Sequence, residues 1–322
     1  MSESWKASLS AIVRANNARK HNGTTASAAT RDKRIDVLFA GFALLRELGY
    51  RLDDVRSFKG KHMRALAEAW EGRRLSASTL QNRVSIFRQF SVWIGKLGMV
   101  EASESYVRDA LSVRRTTINK VDKSWTPRGI SIPEKIEEVR KLDARIAIAM
   151  ELQAAFALRV RESCVLCPHL ADLGQVLDVR RGTKNGRPRT VRIETAYQRE
   201  VLEKSKAMVS SPVESISDPG LTLKQVLSRY YRIVRSVGIT RNDGITSHGL
   251  RHEAANDYYR EQAGHASPVR GGPAPIDATS ELAARLKTSE LLGHGREDAT
   301  THYLGRHVRG ASSSTRPQSD AT

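Results

Sequence analysis

The chain has 322 residues, and 53 lysines and arginines against 35 aspartates and glutamates give it a formal net charge of +18. This length predicts two domains, each large enough to bury a core without disulfides or metals. The longest apolar run, residues 37–45, is much shorter than the roughly 18–20 residues that cross a bilayer, which excludes an integral membrane protein. The lack of a secretory signal and the presence of only two cysteines predict a protein of the reducing cytoplasm.

The excess of positive charge favours a polyanionic partner. Lysine and arginine contacts to phosphates release counterions, and this makes nucleic acid the expected partner of so basic a chain. Charge alone separates neither DNA from RNA nor an enzyme from a packing protein, because contacts to the phosphate backbone carry no sequence information.

The first part of the chain is predicted as a basic arm followed by a helical domain. Residues 1–34 carry seven Lys and Arg but only two acidic residues, which predicts an arm that stays mobile until it meets a phosphate backbone. Residues 35–115 have a helical pattern and are predicted as one domain.

The clearest helix of that domain is predicted between residues 76 and 98. Ser76 or Ser78 can cap its start, and Gly98 can end it. Apolar residues recur at three- and four-residue steps along one face, at Leu80, Val84, Phe87, Phe90, Ile94 and Leu97. The other face carries the cations Arg83, Arg88 and Lys96. Such a face is typical of a solvated helix, and in a nucleic-acid-binding protein these three are the candidate phosphate contacts.

A linker is predicted at residues 116–132, which have no sustained period and contain Pro127 and Gly129. The second domain is predicted over 133–308, and 309–322 as a disordered tail.

Within the second domain, helical patterns surround two short strands and a loop. The strands are predicted at residues 175–182 and 187–194, joined by a tight hairpin at Asn185-Gly186. Residues 262–280 are rich in Gly, Pro and Ala and predict a long loop.

Four short clusters in the second domain carry side chains suited to phosphoryl chemistry. They read ALRVRES from residue 157, TKNG from 183, SHGLRH from 247, and LLGH from 291 followed by Tyr303 nine positions after its histidine. Singly, each has a structural explanation, such as an ion pair, a solvated lysine or a packed tyrosine. Together they supply two guanidiniums to clamp phosphate oxygens, imidazoles for proton transfer, a lysine to protonate a leaving oxygen, and a phenol to attack.

In this order the clusters resemble the motif boxes of the tyrosine recombinases, also called phage integrases. The resemblance covers about residues 31–307 in layout, and the specific motifs lie in the second domain. It implies a mainly α fold with a small β-sheet, in which a helical N-terminal DNA-clamping domain precedes an α+β catalytic domain.

The resemblance implies that Arg159 and Arg251 neutralise the scissile phosphate, while Glu162 braces the first arginine. Arg159 is preferred to Arg161 because it directly follows the Ala-Leu pair of the motif and has the acidic residue three positions later.

The remaining matches imply roles in proton transfer and attack. Lys184 would protonate the departing 5′ oxygen, His248 would assist proton transfer, and His294 would hydrogen-bond the phosphate. Tyr303 would be the nucleophile, and its covalent phosphotyrosine would conserve the energy of the broken bond, so that no cofactor is expected.

The resemblance also implies the partners. Double-stranded DNA would be the substrate, and four subunits on two sites would exchange strands through a Holliday junction. The expected task is integration or excision of a mobile element in the cytoplasm, at the nucleoid.

Three alternatives stay open at this point. A type IB topoisomerase-like relaxase uses similar chemistry on one duplex, and a regulator of the same fold would bind DNA without cleaving it. A metal site would use His248 and His252 or the pair Cys164 and Cys167, but no second pair of ligands accompanies the cysteines, which we expect in the core.

Two features depart from the family pattern. Arg251 and His294 are 43 positions apart, longer than the pattern leads us to expect, and the surplus lies in the loop near 262–280. The chain after Tyr303 is short and polar, with no apolar helix of the kind that docks onto a neighbouring subunit.

Overall fold

The computed structural model describes residues 4–19, 23–116, 118–294 and 296–307. The chain divides into two compact units, Met1–Thr116 and Thr117–Thr322. The fold is mainly helical with a small two-stranded sheet, which confirms the predicted fold class. No described helix has the length and apolar character needed to span a membrane. The predicted tail over 309–322 lies outside the described residues.

The first unit packs its α-helices around an aromatic core. These helices are α1 (Ser4–Asn16), α2 (Ala28–Glu47), α3 (Gly60–Gly72) and α4 (Ala77–Trp93). The rings of Phe42 and Phe90 pack edge to face with centroids 5.3 Å apart, the geometry that aromatic quadrupoles favour. Gly41 lets the ring of Phe87 approach the backbone of α2 closely, since a β-carbon there would overlap that ring.

The prediction of a mobile arm over residues 1–34 is wrong for its described part. Helix α1 buries Trp5, Leu9, Ile12 and Val13 in the core of the first unit. Their spacing of four, three and one residues forms a narrow apolar stripe on a helix, and the net charge of the segment hid it. The start of α2, which Ser27 caps by accepting a hydrogen bond from a backbone N–H, also falls within the predicted arm.

Helix α4 starts where predicted but ends earlier. The Ser76 side chain accepts a hydrogen bond from the Thr79 N–H at 3.4 Å and caps the helix. The helix ends at Trp93, and Gly95 turns the chain with a φ of +76°. Leu97 therefore lies beyond the helix and is 81% exposed, outside the apolar face to which the pattern assigned it.

The three candidate phosphate-binding cations of the first unit have partners within the protein. Arg88 donates from Nε to the Val100 carbonyl at 3.1 Å, and Lys96 donates from Nζ to the Phe58 carbonyl at 2.8 Å. Arg83 lies over the ring of a buried tryptophan at 5.3 Å. These contacts fix local structure, and a role for these side chains in nucleic-acid binding stays a prediction.

The second unit is built around the buried helix α6. Its helices are α5 (Ile132–Arg140), α6 (Ala144–Phe156), α7 (Val160–Cys164), α8 (Pro168–Ala171), α9 (Ala196–Ala207), α10 (Leu223–Ser236), α11 (Ser247–Ala263), α12 (Ala278–Leu291) and α13 (Thr301–Leu304). Helix α6 contacts α5, α7, α9 and α11, and most of its residues are buried. Both cysteines are free and buried, and Cys164 belongs to this core.

The two predicted strands pair, but their connection is not a tight hairpin. Strands β1 (Val176–Val179) and β2 (Arg189–Arg192) are antiparallel, with Val179 opposite Arg189. The connection contains a 3-10 turn, Lys184–Gly186. Gly182, with a φ of +74°, packs on α7, because a β-carbon there would lie 2.8 Å from the Arg161 carbonyl oxygen. This contact places the start of the loop that carries Lys184 against α7.

The predicted linker over 116–132 is also corrected, because residues 119–126, which we call the strap, pack on the second unit. Trp125 is fully buried and donates from Nε1 to the Thr246 carbonyl at 2.9 Å. Its backbone N–H donates to Glu253 at 2.7 Å. Gly249 admits the indole, since a β-carbon there would lie 2.5 Å from Trp125 Nε1. A lone tryptophan in a segment without periodicity gave no signal of this anchoring.

The packing of α1 predicts that Leu9→Ala destabilises the protein. Leu9 is fully buried, so its truncation should lower the free energy of unfolding by about 2–5 kcal/mol. Leu97→Ala is the matched control and should change it by less than about 0.5 kcal/mol, because Leu97 is exposed. Urea unfolding followed by circular dichroism measures both. Equal stability of the two variants would contradict the packing of α1 and support the prediction of a mobile arm.

Candidate active site

Helix α11 presents the central cation of the site. Arg251 lies one turn after the start of α11, and its side chain is almost completely buried. Its Nε donates to the Tyr303 hydroxyl at 3.1 Å, and its Nη2 donates to the Leu292 carbonyl at 2.5 Å. Its Nη1 donates to the carbonyl of Ala157, which ends α6 in the left-handed conformation with a φ of +50°. One guanidinium thereby joins three distant parts of the chain.

The second cation, Arg159, is held by Glu162. Arg159 directly precedes α7, and its Nη1 donates to Glu162 Oε1 at 2.6 Å while its backbone N–H donates to Oε2 at 2.8 Å. Its Nη2 also approaches the Leu292 carbonyl, at 3.4 Å. The guanidiniums of Arg159 and Arg251 therefore converge on one carbonyl oxygen. Arg161 is exposed and takes no part in this convergence.

Glu162 is a buried counterion for two arginines. Its side chain is fully buried, and Oε2 also accepts a hydrogen bond from Arg189 Nη2 at 2.9 Å. Burial opposes ionisation of Glu162, but the charges of Arg189 and Arg159 outweigh it and hold the pKa of the carboxyl below its usual value. The carboxylate is therefore ionised at neutral pH and fixes both guanidiniums.

Tyr303 lies among imidazoles as well as against Arg251. It belongs to the short helix α13 and is 5% exposed. Its ring centroid lies 4.7 Å from that of His252, 5.6 Å from that of His294 and 5.7 Å from that of His248. The phenol is thus surrounded by one cation and three candidate proton acceptors.

The imidazoles of this cluster are neutral at neutral pH. Desolvation and then the charges of Arg251 and Arg159 lower the pKa of His248 to about 4, and the same causes lower the pKa of His294 to about 4. Desolvation, aided by the neighbouring His248, lowers the pKa of His252 to about 3. A neutral imidazole has a free lone pair, so these rings can accept a proton.

Lys184 lies at the edge of this cluster on the loop between β1 and β2. Its side chain is exposed, and its charge is one of those that lower the pKa of His294. An exposed ammonium on a loop has the freedom to reach a bound substrate, and the strands hold the ends of that loop.

The structure brings five of the predicted site residues together through hydrogen bonds and ring packing: Arg159, Glu162, Arg251, His294 and Tyr303. His248 joins it through ring contacts with Tyr303, and Lys184 through its charge on His294.

Two residues of the site were missed by the sequence analysis. Arg189 is the first residue of β2, and its side chain is 7% exposed. It donates hydrogen bonds to Glu162 and to the carbonyl of Leu291. Its alternation with the buried Val191 on β2 indicates an inward-facing arginine and was the available signal. His252 stood in the sequence as a candidate metal ligand, but its ring packs on Tyr303.

A glycine of the fourth cluster is explained by Arg189. Gly293 has a φ of +64°, and a β-carbon there would overlap Arg189 Cδ. The backbone between Leu292 and His294 therefore turns directly over this arginine. The turn positions the Leu292 carbonyl, which accepts from both Arg159 and Arg251, and the imidazole of His294.

The arrangement suits reactions of a phosphodiester. Fixed guanidiniums stabilise the negative charge that develops on phosphoryl oxygens, and a phenol beside neutral imidazoles is a nucleophile with a proton acceptor at hand. Among the described residues, no three His, Cys, Asp or Glu side chains come together as a set of metal ligands.

Family comparison agrees with these motifs. A family model described as "Integrase" matches residues 121–257, and one described as "Phage integrase, N-terminal" matches residues 15–100. Together they cover more than half of the chain. The chain belongs to the tyrosine recombinase family. The first model ends before His294 and Tyr303, so these two assignments depend on the motif and on the geometry described above.

The recombinase has the fold of known family members. A lambda integrase dimer bound to a core site has a TM-score of 0.57 at 16% identity, over 94% of this chain and 97% of that one. The XerH recombinase before cleavage of its difH substrate has a TM-score of 0.53 at 12% identity, over 94% and 92%. The Tn1549 transposon integrase in complex with circular intermediate DNA has a TM-score of 0.51 at 15% identity, over 94% and 95%. No curated protein sequence matches the chain.

Proposed function

We propose that this tyrosine recombinase cleaves and rejoins double-stranded DNA at specific sites through a 3′-phosphotyrosine on Tyr303. The observation that carries this proposal is the hydrogen bond from Arg251 Nε to the Tyr303 hydroxyl, at 3.1 Å, inside a cluster of cations and neutral imidazoles. A phenol that served packing alone would need neither a buried guanidinium nor three imidazoles around it.

Cleavage begins with attack of the Tyr303 oxygen on the scissile phosphorus. The phenolic proton passes to a neutral imidazole, and His248 is the assigned acceptor. Arg159 and Arg251 neutralise the charge on the non-bridging oxygens, and His294 donates a hydrogen bond to the same phosphate. The new P–O bond to tyrosine replaces the bond to the 5′ oxygen.

Lys184 completes the step by protonating the departing 5′ oxygen. The ammonium is exposed on a loop, near enough for its charge to act on His294. Rejoining is the reverse reaction, in which a 5′-hydroxyl attacks the phosphotyrosine and the tyrosine leaves. The number of high-energy bonds is unchanged, so the cycle needs no nucleotide and no cofactor.

The recombinase is proposed to act as a homotetramer on two DNA sites. The net charge of +18 favours binding to DNA. A lambda integrase tetramer bound to a Holliday junction has a TM-score of 0.55 to this chain at 17% identity, which supports the same assembly here. Since the similar structures include a phage integrase and a transposon integrase, we propose integration or excision of a mobile element, at the nucleoid.

Two other functions use the same fold. A type IB topoisomerase-like relaxase would relax plasmids that lack any particular site, whereas a recombinase requires its own sequence. A DNA-binding regulator would bind without forming a covalent bond. The phenol set against Arg251 favours catalysis over the regulator, and plasmid relaxation separates the recombinase from the relaxase.

Tyr303→Phe should bind DNA as the native protein does but form no covalent adduct, because the ring remains and the attacking oxygen is lost. The substrate is a nicked duplex that spans the end of the genetic element carrying the gene, and adducts are resolved on a denaturing gel. Tyr231→Phe is the matched control, since it removes an exposed phenol from α10. An undiminished adduct in Tyr303→Phe would overturn the proposed nucleophile.

Lys184→Ala should slow cleavage of ordinary DNA by roughly 10²–10⁴-fold, the usual effect of losing a general acid. A 5′-bridging phosphorothioate should largely restore the rate, because sulfur leaves without being protonated. Arg187→Ala, which removes an exposed cation of the same loop, is the control and should show no such selective rescue. Equal defects of Lys184→Ala on both substrates would reduce Lys184 to a phosphate contact.

A further inference from the structure

The segment between α11 and α12, residues 264–277, folds back onto the surroundings of the nucleophile. It is the Pro- and Gly-rich stretch by which the interval between Arg251 and His294 is extended. Its 3-10 turn, Pro268–Arg270, places Val269 against Gly305, since a β-carbon at Gly305 would lie 3.2 Å from the Val269 nitrogen. The segment therefore contacts the chain two residues after Tyr303.

Arg270 ties this segment to two other elements. Its side chain is 14% exposed, and each side of its guanidinium meets a carboxylate. Nη1 donates to Asp257 at 2.6 Å and Nη2 donates to Glu253 at 2.7 Å, both on α11. Nε donates to Asp122 at 2.9 Å, on the strap. A single arginine thus bridges three carboxylates and offsets part of their mutual repulsion.

The strap in turn holds the nucleophile. The Asn119 N–H donates to the Thr301 carbonyl at 2.9 Å, and Asn119 Nδ2 donates to the Tyr303 carbonyl at 3.4 Å. Further along the strap, the backbone N–H of Trp125 donates a hydrogen bond to one carboxylate oxygen of Glu253, on α11, at 2.7 Å. The other oxygen of Glu253 accepts the hydrogen bond from Arg270. The network is therefore continuous from Arg270 through the strap to the backbone of α13.

A second route reaches the same backbone from the same segment. Ser267 is fully buried, and its hydroxyl donates to Asn256 Oδ1 at 2.5 Å. Asn256 Nδ2 donates to the carbonyls of His252, at 2.8 Å, and Tyr303, at 3.5 Å. Residues 267 and 270 thus act on the nucleophile from two sides.

We propose that segment 264–277 is a clasp, and Arg270 its positioning residue, which holds Tyr303 in the geometry for attack within its own subunit. The inference rests on the proposed role of Tyr303 as nucleophile. Without Arg270, the charges of Asp122, Glu253 and Asp257 drive the strap away from α11, and α13 loses its support. A displacement of about 1 Å at a reacting atom is enough to cost up to about 10²-fold in rate, whereas DNA affinity depends on other surfaces.

The test compares Arg270→Met and Arg270→Lys with Arg260→Met. Arg260 also approaches Asp257, at 3.7 Å, but its side chain is 60% exposed and lies outside the clasp, which makes it the matched control. Three quantities are measured on the full chain: DNA affinity, the single-turnover rate of adduct formation at saturating protein, and amide hydrogen exchange by peptide. Asp122→Asn is included as a milder variant should Arg270→Met fail to fold.

Arg270→Met should slow adduct formation by at least about tenfold at unchanged affinity, with partial recovery in Arg270→Lys and no effect in Arg260→Met. Hydrogen exchange should rise in the peptides around residues 119–126 and 297–306 but not in α6 or α9. A native rate in folded Arg270→Met would overturn the clasp. Faster exchange throughout the second unit with a parallel loss of affinity would overturn it too, because it indicates general destabilisation.

Failure of the clasp is distinguishable from failure of the proposed function. The native chain and Tyr303→Phe are assayed alongside. An adduct that forms with the native chain but not with Tyr303→Phe establishes the nucleophile, whatever the rates of the Arg270 variants. If the native chain forms no adduct, the hydrogen-exchange comparison still reports whether Arg270 holds α13.

Discussion

The buried guanidinium of Arg251 is the constraint on which the rest of the site depends. A buried cation is costly unless every donor has an acceptor, so the chain must bring acceptors to it. It does so from three places: the left-handed end of α6 at Ala157, the turn before His294 at Leu292, and the hydroxyl of Tyr303. Burial lowers the pKa of Arg251 to about 10, which still leaves it charged at neutral pH. The need to supply hydrogen-bond acceptors to the Arg251 guanidinium therefore brings the parts of the site together.

The net positive charge of the site follows from the side chains that surround Arg251. Glu162 pairs with both Arg159 and Arg189 but offsets only one of their two charges, and Arg251 has only neutral oxygens as partners, so the site keeps an excess of positive charge. That excess suits a phosphate and disfavours a second cation. It therefore adds to desolvation in keeping His248 and His294 unprotonated, and unprotonated rings are the ones that can take a proton from a phenol. The same field thus favours an anion in the site and, in the proposed mechanism, the loss of the proton from Tyr303.

The sequence predicted the elements that local pattern determines. The paired strands and the start of α4 at Ser76 follow from periodicity, turn residues and capping, which act over a few residues. The fold class followed from the resemblance to the family. The strap and α1 were mispredicted because their anchoring is tertiary: Trp125 packs on Gly249 far along the chain, and four apolar residues of α1 were outweighed by the charge of their segment. The tight hairpin failed for a similar reason, since Gly182 packs on α7 and the loop is shaped by that contact.

The candidate site was predictable in its membership but not in its connections. The motif boxes named seven residues, and the structure adds which atoms meet, as in the convergence of Arg159 and Arg251 on one carbonyl. Arg189, His252 and Arg270 were missed because each acts through a partner distant in sequence. The segment near 262–280 read as a loop from its Gly and Pro content, and composition gave no sign that its arginine would join three carboxylates.

The most direct measurement is the identity of the residue that becomes attached to DNA. Covalent complexes trapped on a nicked duplex are digested with trypsin and nuclease, and the nucleotide-bearing peptide is sequenced by mass spectrometry. Trypsin cuts after Arg296 and Arg306 and releases the peptide 297–306, in which Tyr303 is the only tyrosine. The account predicts a 3′-linked nucleotide on Tyr303 in this peptide. A nucleotide on any other residue, or its absence from a chain that cleaves DNA, would contradict it.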